Sequence, residues 1–255
     1  MWNPYDFTGK KIIVTGATSG IGRATAIRLS EQGAVVVMLG RSGEKLKETL
    51  ALLTGGGHRI YVKDFAEPGG YKEMFDDIVS DGRKIDGLVH SAGMAKILPL
   101  SSFNHKNMDE SMTVNFYSFV EMVGLLSKKK YHNNASIVGI SSVSVRYPQK
   151  CQGLYIATKA AMNAYMTSAA MELASAGIRI NTVLPSNTKT RMFDEAVQDK
   201  TPEQLKAALA QQVLGFAEPA DIADIVCFLL SDASRMITGR EIYADGGFIN
   251  FIPQR

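Results

Sequence analysis

Cysteine is scarce in this chain. Its 255 residues hold two, Cys151 and Cys227, and neither stands in a metal-ligand or redox spacing. That excludes a disulfide framework, gives no metal site to expect, and suits a reducing, cytoplasmic setting. Long apolar runs are missing too: no stretch reaches the length needed to cross a bilayer. The first residues, Met1-Trp2-Asn3-Pro4-Tyr5-Asp6, lack the basic-then-apolar order of a secretory signal. Neither sign of charge dominates. A net charge of +3 is too small and too dispersed for a nucleic-acid surface. The one basic run, Lys128-Lys129-Lys130, reads as a solvated helix end, with a patch that docks a partner as the alternative. With no linker, repeat or low-complexity tract, residues 1–255 read as one domain.

What is present is an alternation. Short apolar runs at 11–14, 34–39, 59–62, 85–90, 135–140, 178–183 and 241–244 are strand-like. Helix-like stretches at 23–32, 42–53, 71–80, 108–129 and 155–174, with another opening at Pro219, separate them. This order predicts an α/β fold, a doubly wound Rossmann-type domain whose parallel seven-stranded sheet carries helices on both faces. Residues 190–214 break the alternation and read as a helical insertion covering a site.

Three clusters carry chemistry. Thr15-Gly16-Ala17-Thr18-Ser19-Gly20-Ile21-Gly22 lies between the first strand and the first helix. Glycines there permit a tight turn and let backbone N–H groups approach a pyrophosphate at the positive end of a helix. The spacing, Gly-x-x-x-Gly-x-Gly, departs from the general dinucleotide fingerprint. Tyr155 and Lys159 are four apart on a helix and share a face. A phenol is a poor acid–base group at neutral pH, and a nearby ammonium favours its ionised form. Ser141, Ser142 and Ser144 follow the fifth strand, at the edge where open α/β sheets bind ligands.

In combination these motifs resemble the short-chain dehydrogenase/reductase family along essentially the whole chain. The matching residues are Gly16, Gly20 and Gly22, then Ser91-Ala92-Gly93, Asn115, Ser142, and Tyr155 with Lys159. Asn181, Pro185, Thr190 and Ala244-Asp245-Gly246-Gly247 follow. The resemblance implies that Tyr155 exchanges a proton with the substrate oxygen and that Ser142 polarises that oxygen. It implies that Lys159 lowers the tyrosine pKa and holds a nicotinamide ribose, and that Asn115 keeps a water for a proton relay. Two positions depart from the pattern: His90-Ser91 stands where Asn-Asn is common, and Ser186 follows Pro185 where glycine is usual. Ser186 thereby places a side chain beside the nicotinamide pocket.

The second strand ends in Gly40-Arg41-Ser42 with no carboxylate to bind ribose hydroxyls. Arg41, with Ser42, suits a 2′-phosphate, so the resemblance implies NADP(H) as preferred cofactor without excluding NAD(H). The alternative is that Arg41 pairs with Glu44 or Glu48. Thr18, Ser19, Ile21, Asp64, Phe65 and Thr188 complete the expected cofactor contacts. The expected substrate pocket takes in Met94, Ile97, Ser144, Tyr147, Leu154, Met192 and Phe193. The substrate is expected to be a small carbonyl or alcohol, free or carrier-bound. The pattern is similar to 3-oxoacyl-(acyl-carrier-protein) reductases, but Ala176 stands where those enzymes often carry a basic residue. A sugar or secondary-metabolite ketoreductase is the alternative, and a non-catalytic dinucleotide sensor is another. Relatives usually assemble as homodimers or homotetramers through helices matching 108–129 and 155–174, so the same is expected here.

Overall fold

Parallel strands buried on both faces must be apolar throughout, and the second strand, Val-Val-Val-Met-Leu-Gly, has that composition. A computed structural model describes residues 3–248, so the reading of Met1 and Trp2 and of 249–255 lies outside the described residues. Seven strands form one sheet: β1 (Lys11–Thr15), β2 (Val35–Gly40), β3 (Arg59–Val62), β4 (Ile85–His90), β5 (His132–Ile140), β6 (Arg179–Pro185) and β7 (Glu241–Ala244). All neighbours pair in parallel, in the order β3-β2-β1-β4-β5-β6-β7. The chain reverses its direction of travel between β1 and β4, where such sheets open a crevice. The expected fold class is therefore the observed one.

Helices cover both faces. On one, α3 (Tyr71–Ile78), α5 (Ser118–Leu126) and α6 (Gly153–Leu173) bury Phe75, Phe119, Met122, Met162 and Met166 against Ile13, Leu88 and Ile137. On the other, α1 (Gly20–Glu31), α2 (Gly43–Leu50) and α9 (Pro219–Leu230) bury Leu29, Leu46, Ile222 and Val226 against Ile12, Val36 and Val138. Each large aliphatic side chain removed from water contributes about 2 kcal/mol, so these layers are the main source of stability.

The helix expected at 108–129 is three segments. α4 (His105–Met112) leads into a π-helical turn, Thr113–Tyr117, and then α5. The reason is tertiary: the turn carries Asn115, whose buried amide is claimed by backbone on a neighbouring loop. The insertion contains α7 (Arg191–Val197), capped by the Thr190 hydroxyl, and α8 (Pro202–Ala210), capped by a reciprocal Thr201–Gln204 pair. Neither helix buries a residue. No described helix is long and apolar enough to cross a membrane.

Candidate active site

The carboxyl ends of β1, β4, β5 and β6 open on a cleft of about 620 Å³. Its floor is the glycine turn. Gly16 has φ of +67°, and a Cβ there would lie 2.8 Å from the Ala92 nitrogen. A Cβ on Gly22 would collide with the carbonyl oxygen of Gly16. Both positions therefore require glycine, the first also for its left-handed backbone. Thr15 draws the two halves of the sheet together, its Oγ1 accepting from Ser91 N at 3.1 Å and Ala92 N at 2.9 Å.

The start of α1 is left unsatisfied. Ser19 occupies its N-cap without a side-chain hydrogen bond, and no acid stands in the first turn. Free N–H groups at the positive end of a twelve-residue helix, above glycines that leave no side chain in the way, fit a pyrophosphate. Thr18, Ser19, Gly20 and Ile21 line the cleft here, and Thr190 lies across it, its methyl 3.1 Å from where a Gly20 Cβ would be.

At the far end of the floor, Arg41 is exposed and makes no ion pair among the described residues. Glu48, one of its expected alternative partners, pairs with Arg23 at 3.2 Å instead. Ser42 Oγ accepts from Lys45 N at 3.3 Å as the cap of α2, which leaves its O–H free to donate. Lys45 lines the same end, and its part was missed in the sequence, where it reads as one of several helix-surface lysines. Asp64 lines the wall beside Phe65, whose ring packs on Tyr71 and His90. His90 is buried, and burial with the Lys159 charge pushes its pKa down to about 3, so the ring is neutral. The Ser118 hydroxyl lies 2.9 Å from His90 Nε2 and 2.8 Å from Val114 O, which ties the neutral ring to the turn that carries Asn115.

The remaining groups converge from three elements. Asn115 Oδ1 accepts from Met94 N at 2.8 Å, and its Nδ2 donates to Met94 O and to Thr158 Oγ1, each at 2.9 Å. Thr158 in turn donates to Tyr155 O at 2.7 Å, tying the asparagine to α6. Lys159 is buried and donates from Nζ to Ile140 O at 2.7 Å, at the end of β5. A Cβ on Gly93 would lie 3.4 Å from that Nζ and 3.5 Å from Asn115 Oδ1, so the loop after β4 runs directly over both. Ser142 Oγ lies 3.1 Å from Ser144 Oγ and accepts from Ser144 N.

The electrostatics differ from expectation at one point. Lys159 Nζ lies 5.8 Å from the Tyr155 ring centroid, yet the tyrosine pKa is raised, because burial outweighs the hydrogen bond with Ser142 that opposes it. Burial instead acts on the lysine, pulling its pKa down to about 8. Tyr155 thus holds its proton, beside a cation that has no carboxylate partner among the described residues.

Pro185, Ser186 and Thr188 line the cleft beyond β6, and Thr188 Oγ1 donates to Ser186 O. Of the expected pocket residues, Met94, Ile97, Ser144, Met192 and Phe193 line the cleft. Tyr147 and Leu154 do not. Leu154 turns into the core from the first turn of α6, and the Tyr147 ring stacks edge-on against Phe248 at 5.8 Å.

Known proteins share this arrangement. A family model described as enoyl-(acyl carrier protein) reductase matches residues 16–249. The chain is 33% identical to a 3-oxoacyl-(acyl-carrier-protein) reductase of Thermotoga maritima, over 94% of this chain and 98% of that one. It is 32% identical to a glucose 1-dehydrogenase of Gluconobacter oxydans, over 94% and 92% of the two chains. A solved Agrobacterium tumefaciens protein, described as a 2-deoxy-D-gluconate 3-dehydrogenase with bound NADP, superposes with a TM-score of 0.87 at 29% identity, covering 98% of this chain and all of that one. A likeness that spans nearly the whole of each chain, on top of a dinucleotide cradle and a half-buried Tyr155 beside a buried Lys159, assigns this protein to the short-chain dehydrogenase/reductase family of oxidoreductases.

Proposed function

We propose that the chain interconverts a ketone and a secondary alcohol, with NADP(H) preferred over NAD(H). One observation carries this: Ser142, Tyr155 and Lys159 meet at the cleft end where Pro185 and Gly93 leave room for a nicotinamide, with Asn115 buried directly behind Gly93. A bound nicotinamide would supply or accept the hydride. Gly16, Ser19, Gly20 and Ile21 would hold its pyrophosphate, with Gly22 allowing the turn to pack closely, Lys159 would hold its ribose, and Arg41 with Ser42 and Lys45 a 2′-phosphate. As the carbonyl carbon is reduced, charge grows on oxygen, where the Ser142 hydroxyl donates and Tyr155 gives up its proton. The raised phenol pKa keeps that proton available. The Lys159 cation then stabilises the phenolate until it is reprotonated past Asn115.

The substrate reading turns on where charge and polarity lie. Lys128–Lys130 belong to the amino-terminal edge of the sheet, just before β5, while the cleft opens at its carboxyl edge. Lys130 is also paired with Asp76. An acidic carrier protein docked there would face away from Tyr155. Around the cleft mouth, Gln149, Lys150, Gln152, Asn187 and Lys200 offer many hydrogen-bonding groups. These favour a hydroxylated, sugar-like substrate over a carrier-bound acyl chain.

The test is titration with NADPH and NADH by nicotinamide fluorescence, then turnover of keto sugars, small diketones and a 3-oxoacyl thioester. NADPH is expected to bind more tightly, and Tyr155→Phe to cost about 10³-fold in kcat while binding NADPH normally. Equal turnover by Tyr155→Phe would remove the mechanism, and preferential turnover of the thioester would reverse the substrate reading.

A further inference from the structure

One side chain fastens the segment that rises over the cleft. Gln212 follows α8 and is 2% exposed. Its Oε1 accepts from Asn187 N at 3.1 Å and from Ser186 Oγ at 3.3 Å. Its Nε2 donates to Gly215 O at 3.1 Å and to Asn187 O at 3.4 Å. Both acceptor sites and both N–H groups of the carboxamide are in use. Beside it, Thr188 bridges Ala217, Lys189 N donates to Ala217 O at 2.9 Å, and Ala217 N donates to Asn187 O at 3.1 Å. The two roots of the insertion are therefore fastened to each other, while α7 and α8 between them bury nothing.

We propose that Gln212 is a positioning residue for the reaction. It fixes Ser186 and Asn187, which line the cleft just beyond β6, and so sets the point from which α7 lies over the substrate. Ser186 finds its use here: the hydroxyl that replaces the usual glycine turns toward Gln212 and couples the cleft wall to the root of the insertion. The proposal rests on reading Pro185–Thr188 as the nicotinamide wall. The clamp itself, however, is a property of the protein without any cofactor. Leucine at 212 keeps most of the volume and none of the four bonds. Ser186→Ala removes only one bond, so the wall stays filled and the fold intact.

The experiment measures amide hydrogen exchange in the free protein, then NADPH affinity and steady-state kinetics, for wild type, Gln212→Leu and Ser186→Ala. Gln212→Leu is expected to speed exchange at Asn187, Lys189 and Ala217 by about tenfold or more, with the amides of β1 and β4 unchanged. Its KM for the carbonyl substrate should rise about fivefold or more, with NADPH affinity changing less and kcat falling less than KM rises. Ser186→Ala should move both quantities the same way by a smaller factor. Wild-type exchange at the roots in Gln212→Leu would overturn the clamp. Faster exchange with an unchanged KM would overturn the positioning role. If wild type binds neither dinucleotide, the reading of the cleft fails, and the positioning role with it, whereas the exchange data still judge the clamp.

Discussion

Lys159 shows how a single residue can be needed for chemistry and costly for folding. Its ammonium is buried with a carbonyl as hydrogen-bond partner and, among the described residues, no carboxylate, and its pKa falls from 10.5 to about 8. Between pH 8 and 10.5 the folded lysine has released its proton while the unfolded one keeps it, so stability rises as pH climbs through that window. Below pH 8 the full cost is present, about 3 kcal/mol from the shift alone. Lys159→Met removes the titrating group. Comparing denaturant midpoints, the stability of wild type relative to Lys159→Met should improve by about 3 kcal/mol between pH 7 and pH 10.5. A gap that does not move with pH would show that the lysine titrates near its normal value. The variant is expected to be inactive even where it is the more stable protein.

Among the elements, the π-helical turn at Thr113–Tyr117 links fold and site most directly. A regular helix there would aim Asn115 differently and leave Met94 N–H and C=O without their partner. Asn115→Ala strands those two backbone groups and the Thr158 hydroxyl. It should cost about 2–4 kcal/mol in denaturant unfolding and lower turnover by more than about tenfold. A loss under about 0.5 kcal/mol would mean that water replaces the amide without cost. This turn also marks where the sequence stops being legible. Strands such as β2 are readable because burial on both faces leaves one composition. The glycines of the first turn and the four-residue spacing of Tyr155 and Lys159 are readable for similarly local reasons. The break in the helix is not, because its cause lies some twenty residues away at Met94. Gln212 likewise stands in no motif, and only the path of the chain around it reveals four hydrogen bonds. The loop between Ser142 and Tyr155 suggests Tyr147 and Leu154 as pocket residues, but the first turn of α6 directs Leu154 inward.

At the scale of the molecule, charge is concentrated rather than abundant. The chain carries only +3 overall, yet six cations and two carboxylates line the cleft. Low-dielectric walls focus such a field onto an anionic ligand. NADPH affinity should therefore fall as salt is raised, and fall more steeply than NADH affinity, because the extra phosphate meets Arg41 and Lys45. Arg41→Asp should weaken NADPH by about 30-fold and NADH by less than about threefold, with the salt dependence of the two cofactors converging. Equal losses would place the 2′-phosphate elsewhere.

The pairing of α1 with α9 has a consequence for how the protein is made. The two helices lie side by side, joined across the surface by Arg28 and Asp224, although 187 positions separate Glu31 from Glu218. β1 lies inside the sheet, between β2 and β4, and leaves the ribosome early, with those neighbours following it. The side of α1 turned toward α9 has no cover until residues 219–230 emerge near the end of translation, although β1 and β2 already back its other side. For most of synthesis the nascent chain therefore presents an unshielded apolar surface, the condition in which chaperones engage and aggregation competes.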